Sequence, residues 1–165
     1  MILALAVQYL AVFLLTLQSW SLGLSAVKLV AGWMALAILS ASQPSDDLSE
    51  SGAAPRGRFF RLAAAIMIWS LVISVSPSIQ EWLPLDSSLI WSGLILMGMG
   101  LLQLGMSTRP IRVIVGLLTL FSGFEVLYAA IENAVLVAGL LAVVTLGIAS
   151  VGAYLIVAPS MEEQP

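Results

Sequence analysis

Ionisable side chains inside an apolar run are the residues of this chain with chemistry open to them, because each needs a partner, water or a neutralising proton to exist there. Glu125 lies in Leu120-Phe121-Ser122-Gly123-Phe124-Glu125-Val126-Leu127-Tyr128, and Lys28 lies in Ser25-Ala26-Val27-Lys28-Leu29-Val30-Ala31-Gly32. At the centre of a spanning helix such a group costs about 2.5–3.5 kcal/mol on insertion scales. Helix positions three, four and seven apart share a face, so Ser122, Glu125, Tyr128, Ala129 and Glu132 make one stripe from mid-membrane toward the outer surface. That stripe suits a proton or cation path. Desolvation and a nearby cation push a carboxyl group's ionisation in opposite senses, so Glu125 can alternate between charged and neutral forms. The competing role for Glu125 is helix glue, protonated and hydrogen-bonded. Glu132, at the predicted end of the same helix, reads as an interfacial turn residue.

Lys28 has two destinations. Its long side chain can snorkel to the outer surface, or it can face Glu125. Each lies about seven residues from an outer turn, which at about 1.5 Å per residue puts both roughly 10 Å deep. Paired charges offset much of the insertion cost that each bears alone, so the second destination makes helices two and five neighbours. An arriving proton would then compete with the ammonium group, and the pair becomes a gate.

Little other chemistry is open. Without Cys or His there are no disulfides, thiolates, iron–sulfur clusters, His-ligated haems or common zinc sites, so no catalytic residue, metal or cofactor is expected. The Met residues read as packing or lipid contacts. The run from Gly93 to Gly100 lacks the preceding strand and glycine spacing of a phosphate loop and reads as close helix packing. Gln8, Gln18, Gln103, Thr119, Thr145 and Ser150 read as hydrogen-bonding groups between packed helices.

The elements that must position these residues follow from composition. Hydrophobic residues are 61% and charged residues 9% of 165 positions, and mean hydropathy is +1.09, which excludes a soluble enzyme. The fold class is all-α, a polytopic membrane bundle and single membrane domain over residues 1–165. A span needs about 20 apolar residues, and six runs approach that length: Ile2 to Gln18, Leu24 to Ala41, Phe59 to Val75, Leu89 to Met106, Val113 to Ile131 and Ala134 to Val157. Residues 42–58 form a polar loop and residues 158–165 a short tail. A Pro-bounded loop is expected from Pro77 to Ser88.

Arg56, Arg58, Arg61, Arg109 and Arg112 fall on one face, while the opposite loops carry no Lys or Arg. The positive-inside rule makes that face, and both termini, cytoplasmic in a cell (plasma or inner) membrane. Trp20, Trp82 and Trp91 then gather at the outer interface. Ile2 to Leu17 also resembles the apolar part of a signal peptide, but without a basic start; its cleavage would leave five helices. No basic cluster suggests nucleic acid.

The run Arg109-Pro110-Ile111-Arg112-Val113-Ile114-Val115-Gly116, followed by Gly123-Phe124-Glu125, resembles subunit K of NADH-quinone oxidoreductase, where basic residues open a helix carrying a membrane glutamate. Similar patterns occur in the E component of membrane-bound hydrogenases and the C subunit of multisubunit cation/proton antiporters. The resemblance covers about a third of the chain and implies a proton or cation path beside larger membrane subunits. Ser25 to Gly32 can also be laid on Arg109 to Gly116, matching Lys28 to Arg112. Those copies would be inverted three-helix repeats, although helix two has no acid matching Glu125.

The expected function is an accessory subunit of a complex-I-like, hydrogenase or antiporter-type complex, with larger membrane subunits and the bilayer as partners. Lys28, Ser122, Glu125, Tyr128 and Glu132 are its path residues. The alternatives are a membrane scaffold or assembly protein and a stand-alone small-solute transporter.

Overall fold

The computed structural model describes residues 2–42, 55–83, 85–132 and 134–162. Among them are six α-helices and no strand: α1 (Ile2–Thr16), α2 (Leu22–Ala41), α3 (Pro55–Trp82), α4 (Ser87–Gly105), α5 (Pro110–Ala129) and α6 (Val135–Glu162). The last five are long and apolar enough to cross a membrane. In hydrocarbon the backbone must satisfy its own hydrogen bonds, so uninterrupted apolar runs fold as helices that bury one face against each other and leave the other to lipid. The protein is a multi-pass helical membrane protein. The expected polar loop at 42–58 falls mostly outside the described residues.

α1 has 15 residues, or about 22 Å at 1.5 Å per residue, short of the roughly 30 Å of a hydrocarbon core. It is nonetheless integral to the bundle. Leu5, Tyr9, Val12 and Thr16 recur at helical spacing and are all buried. Leu5 and Tyr9 pack with Ala35, Leu36 and Leu39 of α2, Ile114 and Leu118 of α5, and Ala149 of α6. At the other end Trp20 packs with Ala129, Ala138 and Leu141. The start of α1 therefore lies level with the end of α2, the start of α5 and the end of α6, so these helices alternate in direction, and the first helix starts on the face where the last one ends.

α2 packs mainly on α6 and α1, while α5 packs on α4, α6 and α1. α2 and α5 meet chiefly through side chains, Lys28 reaching Glu125, in a core shared with α1 and α6. The tightest seam, α4 on α5, explains the glycine run. Gly93 and Gly100 face Gly123, Leu120 and Gly116 so closely that a Cβ on Gly123 would lie 2.6 Å from both the Gly93 carbonyl oxygen and the Met97 backbone nitrogen. Small residues let the two backbones approach where no solvent-driven hydrophobic effect holds helices together.

Three expectations change. α3 continues through Pro77 to Trp82 instead of stopping at the proline. Pro77 removes one backbone donor, but leaving the helix there would strand several polar backbone groups, so continuation is the smaller loss. α6 runs to Glu162, so much of the expected tail is helical. Trp20 keeps its place in the turn at the helix ends, but its ring is buried in the bundle instead of lying open there. The two halves also pack differently: α6 lies on both α2 and α5, whereas α3 packs mainly on α4.

Candidate functional site

The buried face of α2 is built from Ser25, Lys28, Ala31, Gly32, Ala35, Leu36 and Leu39. Lys28 lies in the middle of that stripe, not beside it, which decides between its two destinations. Its side chain points into the bundle, is 4% exposed and forms an ion pair with Glu125, itself 1% exposed. The snorkelling alternative is thereby overturned. Small neighbours on α2 give the lysine chain room, and Gly32 lets the Tyr9 ring lie against α2. Lys28 Nζ stands 5.5 Å from the Tyr9 ring centroid and 5.8 Å from that of Phe121, distances at which ring faces attract a desolvated cation.

Thr145 completes the group from α6. Lys28 Nζ donates to Thr145 Oγ1 at 3.2 Å. The single Thr145 hydroxyl proton has two acceptors in reach, the Leu141 carbonyl at 3.0 Å and Glu125 Oε1 at 3.4 Å. It satisfies one at a time, so the hydroxyl can turn toward Glu125 when the carboxylate needs a donor. Lys28, Glu125 and Thr145 thus tie α2, α5 and α6 together through buried charges that would each be costly alone.

Around the pair are the buried hydroxyls of Tyr9, Ser25 and Ser122. Tyr9 and Ser122 are side-chain hydrogen-bonding neighbours, while Ser25 Oγ meets no partner among the described residues. One turn below Ser122, Thr119 Oγ1 lies 3.1 Å from Gln8 Oε1 and 2.8 Å from the Val115 carbonyl. Gln8 and Thr119 in turn line a cavity of about 540 Å³ that also has Arg61, Gln103 and Arg112 in its wall. Buried polar groups are ordinarily satisfied, and this run of neighbouring hydroxyls and amide groups is suited to proton relay.

Polar groups thus extend from the level of Ser122 toward the arginine-bearing face. Toward the other face, Ser122 and Ala129 remain on the buried side of α5, but Trp20, Ala129, Ala138 and Leu141 form an apolar layer with Tyr128 at its edge. Tyr128 is half-buried, its ring 5.8 Å from that of Phe124. Trp20 Nε1 donates to the Glu132 carbonyl at 2.8 Å and anchors this layer beneath the α5–α6 turn. Glu132 is exposed, with Oε1 accepting from the Ala134 amide at 3.1 Å, as suits a turn residue. Of the five expected path residues, Lys28, Glu125 and Ser122 lie in the core, while Tyr128 packs at the edge of the apolar layer and Glu132 is exposed at the turn beyond it.

Tyr9, Ser25 and Thr145 were not singled out as site residues by sequence. Ser25 carried a signal, being one turn before Lys28 on the same helical face. Tyr9 and Thr145 lie on other helices, and no spacing along the chain reveals which buried charge they meet. Comparison with protein-family models, curated proteins and solved structures finds no match to this chain.

Proposed function

We propose that this chain is an accessory membrane subunit whose buried Glu125 exchanges protons under the control of Lys28, beside larger subunits of a complex-I-like, hydrogenase or antiporter-type system. The observation that carries this reading is the buried Lys28–Glu125 pair with the buried hydroxyls of Ser122 and Tyr9 beside it. They lead on to the Gln8–Thr119 contact and the cavity beyond. Protons enter from the arginine-bearing face, which the positive-inside rule makes cytoplasmic along with both termini.

A proton reaching Glu125 neutralises the carboxylate and frees Lys28 from its ion pair, leaving the ammonium with the Thr145 hydroxyl and the two rings. Loss of that proton restores the pair. Because the exchange changes the charge holding α2 and α5 together, it can alter the contact between them. The apolar layer under Trp20 closes the route to the other face, so complete transfer requires movement there or in a partner subunit. α3 leaves most of its surface free of contact with the rest of the bundle, which suits packing against partner helices.

The burial of the ion pair favours one other reading, a clasp in a membrane scaffold. Glu125→Gln separates the two, because glutamine keeps the hydrogen-bonding shape without exchanging a proton. In the assembled host complex in vesicles, the variant should assemble and lose ion translocation, while Glu132→Gln retains most of it. Normal translocation with Glu125→Gln would leave the clasp.

A further inference from the structure

The cavity between α1 and α3 has features that proton transfer does not explain. α3 packs on α4 and makes no substantial contact with α1, so a cleft stays open at the side of the bundle, floored by α4 and α5. Two guanidinium groups, Arg61 and Arg112, line it, and its lining contains no acidic residue. Arg61 is exposed and Arg112 half-buried. Each is near the start of its helix, α3 or α5, at the level where a bilayer holds its head groups. Deeper in, the buried Gln8 Nε2 has no hydrogen-bond partner among the described residues. Gln103 is already engaged, donating to the Arg112 carbonyl at 3.2 Å. Apart from the hydroxyls of Ser107 and Thr119, the remaining surface is apolar, with Leu5, Ala65, Met99, Leu102 and Val115.

We propose that this cleft binds an anionic phospholipid, its phosphate held between Arg61 and Arg112 and one acyl chain lying over the apolar wall. The chemistry discriminates among occupants. Paired arginines fit phosphate oxygens, and basic pockets between spanning helices near a membrane surface select anionic head groups. A small polar anion would leave the apolar wall uncovered. A neutral apolar molecule would leave both arginines without a counter-charge. The cavity's volume falls within the usual range of ligand sites. The inference does not depend on proton exchange at Glu125.

The test uses the full chain reconstituted in phosphatidylcholine vesicles with a minor fraction of phosphatidylglycerol, extracted into neutral detergent and analysed by native mass spectrometry. The wild-type protein should retain phosphatidylglycerol in preference to phosphatidylcholine. Arg61→Gln with Arg112→Gln should lower that preference on the order of thirtyfold, while Arg109→Gln, outside the cavity, leaves it unchanged. Ala65→Trp fills the cleft but keeps both arginines, and it should also displace the lipid, which keeps the test decisive if the double variant fails to fold. Equal retention of both lipids by the wild type, or an unchanged preference in the folded arginine variant or in Ala65→Trp, would overturn the proposal. So would stabilisation by inorganic phosphate matching that by phosphatidylglycerol, which would mark a small-anion site.

Discussion

Replacing Lys28 with Met keeps a side chain of similar length in the core but removes the cation beside a carboxylate that is 1% exposed. Breaking a buried ion pair from one side costs about 3–5 kcal/mol, because the surviving charge is uncompensated. Lys28→Met should therefore destabilise by an amount in that range. Glu125→Gln is milder, at about 2 kcal/mol, since its amide oxygen still accepts from Lys28 and Thr145. With both changes no charge remains buried, and stability should return to within about 1 kcal/mol of the wild type. A double-mutant cycle, followed by Trp fluorescence during denaturant unfolding in micelles, should therefore give a coupling of about 3 kcal/mol or more. Additive losses would refute the account of Lys28 and Glu125 as a mutually stabilising pair.

Gly123→Ala should destabilise by about 2 kcal/mol or more, because its new methyl would meet the Gly93 carbonyl and the Met97 backbone nitrogen at 2.6 Å and neither can rotate away. Gly139→Ala meets nothing within 4 Å and should be neutral or slightly stabilising in the same unfolding measurement. Topology is checked by single cysteines, which the native chain lacks. A cysteine at Ser51, outside the described residues, should label only from the cytoplasm and one at Ser87 only from the opposite side; labelling of both from one side would overturn the alternating arrangement.

The helical membrane architecture was legible in the sequence because hydrocarbon leaves the backbone few choices: apolar runs near 20 residues must become helices, whatever they touch. The charged residues stood out for the same reason, since Lys28 and Glu125 are costly wherever they lie in such a run, and counting residues from the turns put them at one depth. Depth follows from the helical rise and is local. Lateral placement is not. Which way α2 is turned, and that Lys28 reaches Glu125 across a core shared with α1 and α6, depended on how the helices pack. The glycine seam between α4 and α5 and the small residues around Lys28 shape that packing. Tertiary structure also decided the direction of the polar groups, because the stripe on α5 is only one wall. Trp20 and the α6 residues close it toward one face, while Gln8, Tyr9 and the Arg61–Arg112 cleft, contributed largely by other helices, continue it toward the other.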